Sequence, residues 1–370
     1  MHHALREYLT QFHRCFQEEL VPLVEDDVGQ SLTPVLTKLL RIWECVEIER
    51  FVSSRRGLVG RPPRERMALS RAFVAKAVLG LTETVDLVER LNVDPLLRRL
   101  CGFDMRSRKR LNESLFSRAF AEFTQQGLPA RVHEVLVRTR CGDTLIEHVS
   151  RDATAIEVRE RPVKTEPKLA PAPRRRGRPR KDDVREPAPE KRLEQQAAGM
   201  RLEAMLADLP TFCDVGTKRN SQGYKTTWIG YKLHLDVADG MVPISAIVTS
   251  ASVHDSQLAI PLATMSAQRV THLYDLMDAG YCSSILREHS RSMGHVPLID
   301  HNPRGGGKKR FDPREAERYK ERTTVERANA RLKDDFGLHR INVRGHAKVT
   351  THILFAVLAL TADQLLRWIT

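Results

Sequence analysis

The chain has 370 residues and a formal net charge of +13, from 60 Lys and Arg against 47 Asp and Glu. The length suits two or three domains, and the charge predicts a polyanionic partner, most commonly nucleic acid. Six scattered cysteines without a C-x-x-C pair argue against a zinc site or a disulfide framework. Residues 1–19 are too polar for a signal peptide and the apolar run 353–362 is too short for a membrane span, so we expect a soluble, cytoplasmic protein with no membrane association.

The first third of the chain is predicted to be helical. Residues 1–56 form one segment, in which apolar side chains such as Leu39, Leu40 and Trp43 are spaced among charges. Residues 57–140 form a second helical region that follows the proline-rich break at 61–63. Within it, residues 67–91 have the pattern of a helix, a turn and a second helix, with Thr82 as the N-cap of the second.

A basic run at 106–110 precedes a further helix in this region. Asn112 can cap that helix, which then exposes Ser114, Ser117 and Arg118. Two interpretations are open from the residues alone. The region is either a helix-turn-helix-like DNA reader or a helical bundle with a solvated basic loop.

From residue 143 the pattern changes to strands. Residues 143–158 and 228–238 read as two long strands, the first carrying Asp152 and the second alternating apolar side chains with Lys232, His234 and Asp236. Residues 244–250 are apolar on both faces and predict a buried strand. The remaining elements are a helix from Asp255 to Gln268, a strand over 271–278, a helix from Ser283 and a strand over 295–300.

A long insertion, residues 160–210, separates the first two strands. Its first half is rich in proline and charge and contains no aromatic residue, so it cannot bury a core of its own. Residues 174–181, RRRGRPRK, resemble an AT-hook, in which an extended Gly-Arg-Pro core carries arginines into the minor groove of A·T-rich DNA. The alternative is a solvated basic linker. The candidate DNA-binding residues of this motif are Arg176, Gly177, Arg178, Pro179 and Arg180.

Two segments follow that motif before the second strand. The second half of the insertion, residues 191–210, is predicted to be a helix that returns to the sheet. Residues 217–226 are predicted to be a polar, basic loop that could follow a DNA backbone.

Residues 311–337 are predicted to form one helix. Asp312 is a suitable N-cap, Pro313 suits the first helical position, and Gly337 is a suitable stop. At about 100° per residue, four polar side chains fall within an arc of about 60° beside an apolar stripe. These four are Tyr319, Arg322, Glu326 and Lys333.

The order of the elements is that of a ribonuclease H-like fold. We therefore predict an α/β ribonuclease H-like catalytic domain at 141–368, with a mixed five-stranded sheet and helices, interrupted by the insertion and preceded by an all-α N-terminal domain. In that fold a carboxylate on the first strand, one after the fourth strand and one on the following helix meet at one edge of the sheet. Asp152, Asp278 and Glu326 occupy those places. The last helix, 345–368, is apolar enough to be part of the core.

The spacing Tyr-x2-Arg-x3-Glu-x6-Lys on the 311–337 helix resembles the signature of the insertion-sequence transposases that carry an Asp-Asp-Glu triad. The segments GYKLHLDV at 230–237 and DAGY at 278–281 also resemble segments of that family. The resemblance covers residues 143–368 and, more loosely, 57–125. Many better-known members carry a β-rich insertion between the second Asp and the Glu, whereas one helix, one strand and a loop fill that interval here.

The resemblance implies a metal-dependent DNA transposase. Asp152, Asp278 and Glu326 would be the catalytic residues and would hold two Mg²⁺ ions, for which Mn²⁺ can substitute, and two such ions suit in-line phosphoryl displacement. Tyr319, Arg322 and Lys333 would bind the cleaved DNA end, and residues 57–140 would recognise the transposon ends. The implied partners are double-stranded DNA, both transposon ends and target, and a second copy of the chain, because two ends must be synapsed. A hairpin intermediate is common in this branch of the family.

Other carboxylates and other functions compete with this interpretation. Asp275 is three residues from Asp278 and so faces the opposite side of the strand, and we expect Asp236 to be a surface or salt-bridge residue. His254 and Asp255 read as a helix cap and its neighbour, and Asp300 as a loop residue at a strand end.

The alternative functions are a ribonuclease H-like nuclease, a catalytically silent DNA-binding protein derived from a transposase, and a basic nucleoid scaffold.

Overall fold

The computed structural model describes residues 24, 26, 31–52, 65–105, 109–163, 191–219, 223–302 and 309–368. The AT-hook-like motif and its five candidate residues lie outside this part of the chain. So does most of the predicted segment 1–56. The described residues form a helical region followed by one mixed sheet with helices against it. The predicted fold class is therefore confirmed.

In the described part of the chain six helices precede the sheet, and several of their ends follow from local capping. Thr33 caps α1 by accepting a hydrogen bond from the Leu36 amide, and Asn112 caps α5, as predicted, by accepting one from the Leu115 amide. The predicted cap Thr82 is wrong, because α3 starts two residues later with Glu83 as its N-cap. The six helices are α1 (Pro34–Val46), α2 (Arg66–Val78), α3 (Thr84–Val93), α4 (Pro95–Leu100), α5 (Glu113–Gln125) and α6 (Leu128–Cys141).

The helix pair α2–α3 exposes little basic surface. The helix α2 is buried on nearly every side and forms the centre of a bundle. The outer face of α3 presents Asp86, Glu89 and Arg90, and two carboxylates there disfavour contact with phosphates. By contrast, α5 buries Phe116, Phe120 and Phe123 and exposes Ser114, Ser117 and Arg118, as its sequence predicts.

The sheet contains the five predicted strands and two short additional ones. They are β1 (Leu145–Val158), β2 (Asp214–Arg219), β3 (Lys225–Ala238), β4 (Val242–Ser250), β5 (Thr271–Met277), β6 (Val296–Ile299) and β7 (Arg340–Ile341). Antiparallel pairing joins β3 to β1, β2 and β4, whereas β5 runs parallel to β1 and β6 runs parallel to β5. Short β7 pairs with the end of β1. The long strand β1 is thus central, and the carboxyl ends of β1, β5 and β6 point in the same direction.

Two sequence predictions next to β3 are wrong. Of residues 217–226, predicted as a loop, 217–219 belong to β2 and 225–226 to β3, and these two strands pair with each other. The second half of the insertion is not one helix but two short ones, α7 (Arg192–Ala197) and α8 (Leu202–Asp208). The chain between them includes Gly199 with a φ of +99°, a conformation that interrupts a helix and favours glycine.

The helices of the second half pack on the two faces of the sheet. They are α9 (Ala259–Ala267), α10 (Ser284–Ser292), α11 (Pro313–Tyr319), α12 (Thr323–Asp334) and α13 (His346–Arg367). The predicted single helix over 311–337 is therefore divided, because Lys320–Arg322 forms one tight 3₁₀ turn between α11 and α12. The start of α11 is capped as predicted, with Asp312 accepting from the amides of Arg314 and Glu315.

The last helix, α13, joins the two halves of the molecule. It packs against the helical region and against β4, so one apolar cluster includes residues from α1 to α6 together with Phe355, Leu358 and Leu365. By length and composition α13 could cross a membrane, but 89% of its most apolar window is buried inside the structure. This burial identifies α13 as a core helix, as the sequence predicts.

Candidate active site

The register between β1 and β5 places two of the predicted carboxylates side by side. Arg151 pairs with Met277 in the parallel ladder, so Asp152 and Asp278 are the next residues on two neighbouring strands. Side chains alternate along a strand, and the Arg151 guanidinium lies 3.6 Å from the sulfur of Met277 on one face of the sheet. Asp152 and Asp278 therefore share the other face. The Asp278 carboxylate also accepts a hydrogen bond of 2.8 Å from the Gly280 amide.

The third predicted carboxylate, Glu326, lies on α12, and its charge and that of Asp152 both raise the pKa of Arg322. This helix buries Val325, Ala328 and Leu332 against β1 and β3, which fixes its orientation over the sheet. Glu326 lies in its first turn with half of its side chain exposed, and one carboxylate oxygen is 2.5 Å from Nη2 of Arg322. The 3₁₀ turn before α12 brings Arg322 into this position.

The electrostatics of Asp152 show that negative charge is concentrated here. Burial raises the pKa of Asp152 to about 6, and the charge of Asp278 contributes to the rise. The amide of Ala153 and the charges of Lys218 and Arg322 act in the opposite direction. A buried carboxylate with a second carboxylate beside it forms a site that a divalent cation would stabilise.

Tyr319 lies at the end of α11, against the end of β5. Its hydroxyl donates a 3.0 Å hydrogen bond to the carbonyl of Met277, the residue before Asp278. The guanidinium carbon of Arg322 is 5.9 Å from the centre of the Tyr319 ring, and the ring centre of Phe311 lies 4.7 Å from it. Burial raises the pKa of Tyr319 well above its usual value, so the phenol is neutral and remains a hydrogen-bond donor.

Lys333 lies two turns beyond Glu326 on α12, close to a second lysine. Burial and the charge of Lys218 lower the pKa of Lys333, whereas Glu157, Asp334 and Asp152 act to raise it. Lys218 comes from β2, on the hairpin that the sequence did not predict. Two ammonium groups thus lie near Asp152, on the side of the site formed by β2 and the end of α12.

The structure adds two residues to the predicted set. Asn329 is buried and its amide nitrogen donates to Asp152 Oδ2 at 3.3 Å, while its own oxygen has no partner among the described residues. Asn329 lies three residues after Glu326, on the same helix face. This spacing is the signal in the sequence that could have identified Asn329 as a site residue. Lys218 was recognised only as part of a basic loop.

The competing carboxylates Asp236 and Asp275 belong to a buried network on the opposite face of the sheet. Arg151 makes two hydrogen bonds of 2.7 Å with Asp236, the residue directly across from it on β3, and lies 3.8 Å from Asp275. Burial alone would raise the pKa of Asp275, but hydrogen bonds from His272 and His295 and the charge of Arg151 hold it well below its usual value. As its offset of three predicts, Asp275 is separated from Asp278 by the sheet.

This network could be mistaken for a metal site. Ligand atoms of His272, Asp275 and His295 lie within 4.8 Å of one another. The Asp275 carboxylate, however, already accepts hydrogen bonds from both imidazoles and from the Ser290 hydroxyl. A cation would also face the fixed charge of Arg151 in a buried region. The residues therefore form a hydrogen-bonded charge network.

The remaining predicted carboxylates have structural partners. His254 is the N-cap of the 3₁₀ turn Asp255–Leu258 and accepts from the Ser256 amide, so Asp255 is the residue after the cap. The Asp255 carboxylate instead accepts from Lys232 at 2.8 Å. Asp300 follows β6 next to the site, and its amide donates to the Met277 carbonyl at 3.1 Å.

Two family models match the chain along most of its length. The transposase DDE domain matches residues 146–362, and a transposase domain (DUF772) matches residues 27–122. No curated protein and no solved structure matches. The first match covers more than half of the chain and includes all of the sheet except the first residue of β1, together with most of α13. The helical region, the ribonuclease H-like sheet and these two matches together show that the chain belongs to the insertion-sequence transposases of the DDE family.

Proposed function

We propose that this transposase cuts DNA at the ends of its element and joins the resulting 3′-hydroxyl to target DNA, with Asp152, Asp278 and Glu326 as its catalytic residues. The observation that supports the proposal is the register of β1 and β5, which makes Asp152 and Asp278 neighbours. Arg322 links them to the third carboxylate, because the charges of both Glu326 and Asp152 raise its pKa. Burial and the neighbouring charge of Asp278 raise the pKa of Asp152, and a perturbed carboxyl of this kind is typical of a functional site.

The donor set fits magnesium. It contains only carboxylate oxygens, two of them half-buried and one exposed, and Mg²⁺ favours a few carboxylates together with retained water. Asp152, Asp278 and Glu326 would hold two Mg²⁺ ions, or Mn²⁺ in their place. When bound, these ions would supply an activated oxygen nucleophile and stabilisation of the leaving 3′-oxygen.

The chain's own residues would hold the DNA for this displacement. In the first step, an oxygen of water forms a bond to the scissile phosphorus and the bond from phosphorus to the 3′-oxygen breaks, which leaves a 3′-hydroxyl. In the second, that hydroxyl displaces the 3′-oxygen of a target phosphodiester. Arg322 lies between Glu326 and Tyr319 and can pair with a DNA phosphate that enters the site. Lys333 and Lys218 can pair with phosphates on the far side of Asp152.

Recognition of the ends would belong to the rest of the chain. We propose residues 57–140 as the end-binding part, with the exposed face of α5, Ser114, Ser117 and Arg118, as its contact surface. The arginine-rich residues 174–181 would add minor-groove contacts, and two copies of the chain would act together on the two ends. In this division, 1–56 is a helical addition and 141–368 is the catalytic domain with its insertion at 160–210.

Cleavage of labelled terminal DNA from the element tests this proposal. With Mg²⁺ the native chain should produce a 3′-hydroxyl end, whereas Glu326→Gln should bind the DNA with unchanged affinity and cut at least about 10³-fold more slowly. Glu317→Gln, which alters an exposed glutamate on the adjacent α11, is the matched control and should cut normally. Binding without cleavage by the native chain would instead favour a catalytically silent DNA-binding protein.

A further inference from the structure

A basic cleft lies beside the proposed site, between α10, β6 and the segment that leads into α11. Its volume is about 510 Å³, within the roughly 300–1,000 Å³ of typical ligand sites. Besides His301 and smaller side chains, its lining includes four cationic side chains, one phenyl ring and a single carboxylate. These are Arg287, Arg291, Lys309, Arg310, Phe311 and Glu315.

The cationic side chains of this cleft outnumber its single carboxylate. Arg287 is held in place by donating to the Ile299 carbonyl at 2.7 Å. Arg291, Lys309 and Arg310 are exposed, and none of them forms an ion pair with a carboxylate in the part of the chain that the structure describes. Glu315 is engaged in the cap of α11, where it accepts from the Asp312 amide at 3.3 Å. A concave surface with this balance attracts a polyanion.

The cleft and the carboxylate site share a wall. Phe311 lines the cleft and its ring packs on that of Tyr319, whose hydroxyl is bonded to the residue before Asp278. On the sheet side, Ile299 of the cleft pairs in register with the same residue, Met277. The two sites are therefore adjacent, so the cleft lies within reach of a DNA strand whose scissile phosphate is at Asp278.

We infer that the basic cleft binds the single DNA strand that adjoins the scissile phosphate. Its arginines and lysine would pair with one or two phosphodiesters, and Phe311 and Ile299 would contact a sugar or an unstacked base. The inference rests on the proposed function, because it names the part of the substrate that the site must hold next to the reacting bond.

Charge-neutral phosphates test this contact. Duplex oligonucleotides of the element's end, nicked at the scissile bond, would carry one methylphosphonate at each of about five positions on either side. We expect one or two substitutions within about three nucleotides of the nick to weaken binding by the native chain about 3–10-fold. In Arg291→Ala/Arg310→Ala the same substitutions should have no effect, and the slope of log affinity against log salt should fall by about two.

The control variant also loses two positive charges, but outside the cleft. Arg344→Ala/Lys348→Ala removes two exposed cations that lie outside both the cleft and residues 57–140, and it should retain the native methylphosphonate pattern. The inference is overturned if the pattern survives in the cleft variant, or if the cleft and control variants change alike. Failure of the native chain to bind or cut the unmodified end would instead overturn the proposed function. Melting temperatures of both variants show whether the fold is intact.

Discussion

Replacement of Asp152 by asparagine should stabilise the metal-free protein while it abolishes cleavage. The pKa of this carboxyl rises from 3.8 to about 6 in the folded chain, so ionisation of Asp152 opposes folding at neutral pH. A rise of about two units corresponds to an upper limit of about 3 kcal/mol. Because Asp152 is only partly buried, we expect about 1–2 kcal/mol, or a few degrees in the melting temperature. The amide introduced by Asp152→Asn would retain the hydrogen bond from Asn329 without the charge.

The pH dependence gives this prediction its sign. Well below pH 4 the carboxyl is protonated in both the folded and unfolded states, so Asp152→Asn and the native chain should differ least there. Between about pH 4 and 6 the folded state binds more protons than the unfolded state, so the native chain should lose stability relative to the variant as the pH rises. Above about pH 6 the difference in stability between the two proteins should be constant. Thermal unfolding followed by circular dichroism without divalent metal measures the gap.

Two comparisons make the result decisive. Asp143 is an exposed carboxylate just before β1, and Asp143→Asn should leave the melting temperature unchanged at every pH. Addition of Mg²⁺ should stabilise the native chain and not Asp152→Asn, because only the native site binds the ion. The reasoning is refuted if Asp152→Asn is less stable than the native chain at about pH 7.5 without metal, or if the gap does not narrow at low pH.

Three further predictions concern the fold that holds the site. Arg151→Met should cost about 3–5 kcal/mol in urea unfolding, because Asp236 is left buried without its partner. The double variant Arg151→Met/Asp236→Leu should recover part of that loss, and no recovery would contradict the assignment. Gly230→Ala should destabilise by at least about 2 kcal/mol, because a Cβ would lie 2.1 Å from the Ile156 carbonyl oxygen. Gly199→Ala also has a positive φ but open space around it, so an equal loss there would exclude the contact as the cause. Lys76 is buried in α2, and burial lowers its pKa to about 7. The unfolded state therefore binds more protons above about pH 7, so the native melting temperature should rise from about pH 7 to pH 9 relative to that of Lys76→Met. Parallel slopes would contradict this.

The positions of Asp152 and Asp278 could be predicted because they follow from strand periodicity and order. An alternating strand and a strand that ends in DAGY have strong local signals, and the parallel register of β1 and β5 then places the two carboxylates on one face. The same periodicity placed Asp275 on the opposite side. The core role of α13 also followed from composition, since its apolar side chains have no polar face to present to water.

Other features depend on tertiary contacts and could not be predicted. The break between α11 and α12 has no Gly or Pro to mark it, and it arises where Tyr319 is bonded to the end of β5 and Ser150 donates to the Glu321 carbonyl. The strand β2 is rich in Lys, Thr and Gly, so it looks like a loop until β3 supplies its hydrogen bonds. Lys218 was missed as a site residue for that reason. The full burial of Asp236 requires Arg151 opposite it, a pairing that only the register reveals.

Binding of Mn²⁺ to the metal site tests the central claim most directly, because it does not depend on activity. Titration followed by electron paramagnetic resonance should show that Asp152→Asn, Asp278→Asn and Glu326→Gln each weaken Mn²⁺ binding by at least about tenfold. Glu317→Gln on α11 should leave it unchanged. Such a result would mean that three carboxylates from β1, β5 and α12 form one metal site. Undiminished binding in any of the three variants would contradict the proposed triad.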